Sequence, residues 1–316
     1  MLPAKVRAQR VVDRHRKGPL RQLLIAPRTS KEYTRACRWF FAWLVQECIE
    51  IRGSLWEMDQ LVCKGIEYLW QSGDTRGMVG NLISGLEHFV TCLHGNLKGS
   101  WRLWRAWGRQ ELPHRAPPLT PAMVWAIAHV LWQWKFADCA ALVLLGFDTF
   151  LRTGELVAIQ RLHVLTGQSE WPSMHVSLPF TKGTARSGGV ESVVCRDPLV
   201  VAVIHKLLHE LSPGDRLLRR TPLQFRNAFR HATNEIGLEA GHTPYSLRRG
   251  GATHFFRKCG SMDKTMEAGR WRDSRTARIY VNTALVELGQ VELAPEVDRK
   301  ILNWACDMRD MVQSWK

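Results

Sequence analysis

Near its middle the chain carries Leu112-Pro-His-Arg-Ala-Pro-Pro-Leu-Thr120, a stretch that neither a helix nor a strand can run through. Proline lacks a backbone N–H, and its ring disfavours helix in the residue before it. The stretch therefore reads as a linker over 112–120. It separates a first domain at 29–111 from a second at 121–316, with a basic arm at 1–28 in front. At 316 residues the chain is long enough to give each domain a core.

The arm holds Lys5, Arg7, Arg10, Arg14, Arg16 and Lys17. No apolar stretch with a small-residue cleavage site follows, so it is not a secretory signal. Being nearly free of acids, it leaves an organelle transit peptide open. Thr29-x-x-Glu32 has the form of a capping box and predicts a helix start there. Tyr33, Ala36, Phe40, Trp43, Leu44 and Cys48 then recur at helical spacing. Further short helices are expected around Gly65, over 78–93 and over 101–107, so this half reads as all-helical.

Past the linker, Thr120-Pro121 looks like an N-cap and first helical position. Helices are expected through Trp134 and over 137–150. Only 164–194 has strand character. There His175-Val-Ser-Leu and Glu191-Ser-Val-Val flank a polar turn, as in a β-hairpin. From Pro198 on the pattern is helical again. Residues 285–316 form an amphipathic tail carrying Leu288, Val291, Leu293, Ile301, Leu302, Trp304 and Met308.

The net charge is +15. A balance this basic favours a polyanionic partner, because neutralised phosphates release counterions. No apolar run approaches the ~18 residues of a membrane span. The eight cysteines form no Cys-x-x-Cys pair, so a zinc site is not expected, and they read as reduced core thiols. Most of the fourteen tryptophans are expected to pack helices.

The residues with chemical capacity come in a fixed order. Leu151-Arg152-Thr-Gly-Glu155 supplies an arginine and a carboxylate. Lys182 follows on the hairpin turn, with Arg186 beside it. Tyr245-Ser-Leu-Arg248 supplies a phenol and a second arginine, and Trp271 and Tyr280 close the series. Guanidinium forks match phosphate oxygens bidentately and stay charged. An ammonium can protonate a leaving oxygen, an indole N–H can only donate, and a tyrosine can attack as a nucleophile. Together these groups are equipped to break a phosphodiester through a covalent protein–phosphate bond. Taken singly each has a plainer reading. The arginines could be solvated, Lys182 an ordinary turn lysine, Trp271 a core residue, Tyr280 a half-buried amphipathic side chain, and Glu155 a surface salt-bridge partner.

The ordered set resembles the tyrosine recombinase (phage integrase) family, with the layout of its Cre-like members. Arg152 and Glu155 match the family's Arg-x-x-Glu element, Lys182 its hairpin lysine, and Tyr245-x-x-Arg248 its His-x-x-Arg box. Trp271 matches its His or Trp, and Tyr280 its nucleophile. Trp271 follows Arg248 by 23 positions and Tyr280 follows Trp271 by nine, as is typical there. The start of the first domain is similar to the family's first core-binding helix.

The resemblance implies a mainly α fold with a small β-sheet. An N-terminal helical core-binding (SAM-like) domain would precede an α/β catalytic domain. It implies a site-specific DNA recombinase acting on double-stranded DNA through a 3′-phosphotyrosine, without metal or other cofactor. It also implies self-association into a dimer or tetramer on DNA, and a location with genomic DNA. Arg152, Lys182, Tyr245, Arg248, Trp271 and Tyr280 would be catalytic, with Glu155 in support. The tail would either pack on its own domain or dock into a neighbouring copy. Tyr245 stands where the family has His, and His242 is an alternative source of imidazole. This departure keeps open a DNA-binding protein that does not cut. A type IB topoisomerase-like strand transferase is the other alternative.

The charge pattern makes a direct prediction. Each neutralised phosphate steepens the fall of log K with log salt by ~0.9. Removing residues 1–28 should therefore flatten the salt dependence of DNA affinity, measured by fluorescence anisotropy over a salt series.

Overall fold

A computed structural model describes residues 4–112, 115–166, 173–178, 191–238, 241–282 and 293–315. The chain forms two compact units, Met1–His114 and Arg115–Lys316.

The first unit is helical. It comprises α1 (Ala4–Lys17), a 3-10 turn, α2 (Pro27–Gln46), α3 (Leu55–Gln71), α4 (Arg76–Phe89) and α5 (Lys98–Gln110). Its core gathers Phe40, Trp43 and Leu44 from α2 with Ile66, Leu69, Leu82, Ile83, Leu86 and Trp107. The α2 start corrects the sequence reading. Thr29 does not cap the helix, which begins at Pro27 with Ala26 as N-cap and no side-chain cap. Proline at the first helical position already has the right φ and no amide to satisfy, so it sets the start three residues earlier. The N-terminus of α5 has no local cap either. Asp59, buried on α3, supplies one across the fold, accepting from Gly99 N at 2.8 Å, Ser100 N at 2.9 Å and Ser100 Oγ at 2.6 Å.

The second unit opens with α6 (Pro121–Gln133), where Thr120 Oγ1 accepts from Met123 N at 3.2 Å, as the Thr-Pro pair implied. Helix α7 (Ala137–Asp148) is buried on all sides from Asp138 to Phe147. It ends two residues before the expected limit, because Phe150 takes up a left-handed conformation with φ 50°. A short α8 (Thr153–Leu156) leads to the antiparallel strands β1 (Val164–Thr166), β2 (Met174–Leu178) and β3 (Glu191–Cys195). Leu178 pairs with Glu191, so β2 and β3 are hairpin partners as expected. The connecting residues lie outside the described set.

Five helices complete the unit: α9 (Pro198–Leu208), α10 (Pro222–Ile236), α11 (Pro244–Cys259), α12 (Met262–Gly269) and α13 (Ser274–Tyr280). The tail helix α14 (Pro295–Gln313) follows. Its Ile301, Ala305, Met308 and Val312 are buried in this unit's own core beside α6. The described tail therefore takes the first of its two expected uses.

Helices α9, α10 and α11 repeat the cap-then-proline start, with Asp197, Thr221 and Thr243 as N-caps. The cysteines are free, but Cys48, Cys92 and Cys306 are exposed, so not all eight are core thiols. No helix among the described residues is long and apolar enough to cross a membrane.

Two adjacent glycines let α11 press against backbone. A Cβ on Gly250 would lie 2.2 Å from the Leu119 carbonyl oxygen, and one on Gly251 2.0 Å from that of Phe147. No L side chain fits either space, and neither obstacle is a flexible side chain. Gly251→Ala should lower stability by ~1–3 kcal/mol, the usual cost of overpacking. Gly214→Ala, at a position with open space, should not. Urea denaturation of the two variants checks this.

Candidate active site

The close approach of α11 buries Arg248 completely. Tyr245, Arg248 and Arg249 lie three and four residues apart and so share one helix face. The Arg248 guanidinium donates to the carbonyl of Phe150, and through Nη2 to that of Gly269 at 2.8 Å. Its Nε has no partner among the described residues. Its central carbon lies 4.6 Å from the Trp271 ring centre and 5.1 Å from that of Tyr280. Burial lowers its pKa to about 10, with Arg152 and Arg270 adding repulsion against the pull of Tyr280 and Glu155. Arg248 stays charged near neutral pH. A buried cation held by two carbonyls, with a donor to spare, is set up for an anion.

The left-handed turn at Phe150 precedes Arg152, which is the N-cap of α8. Glu155 accepts from Arg152 N at 3.0 Å and from Arg152 Nη1 at 2.6 Å. Its second cationic partner is Arg270, whose Nη2 lies 2.6 Å from the carboxylate. Arg270 also donates through Nη1 to Glu191 on β3 at 2.8 Å. Glu155 is only 8% exposed, so this is a buried link rather than a surface salt bridge. Burial alone would raise its pKa, but Arg270 and Arg152 outweigh that and hold the carboxyl below its ordinary range.

Arg270 is the residue the sequence reading missed. It closes α12 in a left-handed conformation, φ 56°, where glycine is the usual choice. A long cation between Gly269 and Trp271 was the available signal.

Trp271 folds back over Gly269, where a Cβ would meet its ring at 2.0 Å. The indole is 7% exposed, and its Nε1 has no partner among the described residues. Its ring centre is 4.7 Å from that of Tyr280, the last residue of α13. Thr253, fully buried on α11, reaches this turn: its hydroxyl hydrogen is shared between Arg249 O at 2.9 Å and Tyr280 O at 3.2 Å, and its oxygen accepts from Asn282 N at 3.2 Å. Tyr245, on the first turn of α11, donates its hydroxyl hydrogen to Tyr280 Oη at 2.6 Å. Burial and that bond push the Tyr245 phenol up to about 12.

The structure thus gathers Arg152, Glu155, Arg248, Trp271, Tyr245 and Tyr280 into one cluster and adds Arg270. Lys182 and its neighbour Arg186 lie outside the described residues. His242 belongs to the turn that precedes α11.

No protein-family model matches the sequence, and no curated protein sequence does. Solved structures do match its fold. A lambda integrase fragment, a dimer bound to a COC′ core site, superposes with TM-score 0.56 at 11% identity, over 81% of this chain and 92% of that one. The chain has the tyrosine-recombinase fold. A longer lambda integrase chain in the same kind of complex gives TM-score 0.56 at 13% identity, covering 83% of this chain and 75% of that one. The Tn1549 transposon integrase with circular intermediate DNA gives 0.51 at 12% identity, over 74% of this chain and 85% of that one. At these identities the likeness is one of backbone architecture.

The Glu155 carboxylate has a lowered folded-state pKa, so its stabilisation is present above the unfolded value of ~4.3 and is lost as pH falls through the lower folded value. Glu155→Gln should therefore cost about 3 kcal/mol near neutral pH, as breaking a buried ion pair does. The difference from wild type should shrink once the pH drops below ~4. Denaturant unfolding across that range measures it.

Proposed function

We propose that this chain is a site-specific DNA recombinase that cuts and rejoins strands through a 3′-phosphotyrosine on Tyr280. One observation carries the reading. Among the buried donors that have no partner among the described residues, Arg248 Nε and Trp271 Nε1 sit beside the tyrosine that ends α13. A phosphodiester oxygen would satisfy both. Buried polar groups are otherwise almost always paired.

In this reaction Arg152 and Arg248 clamp the non-bridging oxygens, on which negative charge grows in the transition state. The Trp271 indole adds a third donor. Glu155 touches no substrate. It holds the Arg152 backbone and guanidinium in place and joins them to Arg270. The Tyr280 oxygen attacks phosphorus in line, and the bond to the 5′-oxygen breaks. Lys182, placed by the family resemblance, gives that oxygen its proton. A second strand's 5′-hydroxyl then reverses the step, because the phosphotyrosine keeps the bond energy. The net charge of +15 suits a DNA partner. The first unit would be the core-binding domain and the second the catalytic one. Lambda integrase is a dimer on its core site and the Tn1549 enzyme is bound to DNA. Assembly of several copies on DNA is proposed here by analogy.

Suicide substrates that trap the covalent adduct provide the test. Tyr280→Phe should abolish the adduct and leave DNA binding nearly intact. Arg152→Lys and Arg248→Lys should each cut the rate of adduct formation by at least ~10²-fold, the usual cost of losing a transition-state donor. An adduct mapped by mass spectrometry to Tyr33, Tyr68 or Tyr245 would overturn the assignment. Relaxation of supercoils without paired sites would favour a topoisomerase-like enzyme, and binding without any adduct a DNA-binding protein.

A further inference from the structure

The phenol of Tyr245 stands where a phosphate-contacting imidazole would be expected, yet its hydroxyl faces another phenol. Tyr245 Oη lies 2.6 Å from Tyr280 Oη, with Tyr245 as the donor. A tyrosine has one O–H hydrogen. Spent on Tyr280, it is not available to a phosphate oxygen. We infer that Tyr245 is a positioning residue for the attacking atom: it holds the Tyr280 oxygen and stabilises the negative charge that this oxygen carries as it attacks. The inference rests on the strand-transfer reading above and adds to it the source of the nucleophile's activation.

Three features support it. The first is geometric. Tyr245 leaves the first turn of α11, Tyr280 ends α13, and their ring centres are 5.7 Å apart, tilted by 51°. Tyr280 is packed on its other side against Trp271 and is pinned through its backbone by Thr253. The Tyr280 oxygen is thus held by Tyr245, while Trp271 and Thr253 fix its ring and backbone.

The second is electrostatic. The charged groups that act on the pair from α11 are Arg248 and Arg249, both cations. Cations stabilise negative charge on an attacking oxygen, and so does a hydrogen bond donated to it.

The third is that Tyr245 keeps its proton. Tyr245 is pushed up to about 12 by burial and by the Tyr280 bond, so it keeps its proton and remains a donor. It cannot act as the base. Tyr280 gives its proton to water and attacks as the phenolate. The bond from phosphorus to the 5′-oxygen breaks, and that oxygen leaves with a proton from the general acid. Tyr245 ends the step protonated, as it began.

Two measurements test this on the full chain. The first is single-turnover adduct formation on a suicide DNA substrate as a function of pH, for wild type and Tyr245→Phe. Phenylalanine keeps the ring and removes only the donor. The rate near neutral pH should fall about tenfold or more, what one hydrogen bond to a charged atom is worth. The rising limb of the pH profile should move to higher pH, which a purely structural loss would not cause. The second needs no DNA. Tyrosine carrying carbon-13 at Cζ gives one signal for each of the chain's four tyrosines, assigned through Tyr→Phe variants. In Tyr280→Phe the Tyr245 signal should titrate at lower pH than in wild type, because its acceptor is gone.

An adduct in wild type with unchanged rate and profile in Tyr245→Phe, or faster attack in that variant, overturns this inference alone. So does a Tyr245 titration that ignores the loss of Tyr280. The absence of any adduct in wild type overturns the strand-transfer reading itself, and this inference with it.

Discussion

Everything at the candidate site depends on a buried arginine with no carboxylate bonded to it among the described residues. Taking a guanidinium out of water costs several kcal/mol unless its surroundings compensate. Around Arg248 the compensation comes from two main-chain carbonyls and two aromatic faces. Both carbonyls sit at irregular backbone. Phe150 is left-handed, and Gly269 precedes the left-handed Arg270. Strained conformations of this kind persist only where the surrounding fold over-determines them, and they gather at functional sites. Here the fold does so by pressing α11 onto the α7 carbonyl end and the chain at Leu119, through Gly250 and Gly251.

A second layer links the pieces that carry the remaining groups. Glu155 and Arg270 join α8, the α12 terminus and β3 by ion pairs of 2.6 and 2.8 Å. Thr253 joins α11 to the end of α13. Arg249 reaches the Ala116 carbonyl with the same helix face. The site thus rests on six short segments joined by side-chain ion pairs and by side chains bonded to backbone groups. Such contacts tolerate little displacement, which suits the proposed clamp, whose effect would depend on placing donors around one phosphorus.

The sequence made much of this legible because its signals were local. Thr120-Pro121 fixed a helix start through a side-chain oxygen and a locked φ, and α6 begins there. The period-2 runs at His175 and Glu191 became paired strands. Where signals competed, the reading failed. At Thr29 the capping-box pattern lost to a proline two residues earlier. At the C-terminal end of α7 the helical pattern ran on to Phe150, although tertiary packing required a reversal before it.

By itself, the sequence determined the order and type of the reactive groups. Arg152, Arg248, Trp271 and Tyr280 carry their chemistry in their side chains, and their spacing survives without coordinates. The tertiary structure decided which donors are already used. Tyr245 reads in sequence as a phenol in the place of the family's His, but its one hydrogen goes to Tyr280. Arg270 reads as an incidental cation, yet it bonds both Glu155 and Glu191. Residue identity fixes how many hydrogen bonds a group can make, and only the packing of distant segments fixes where they go.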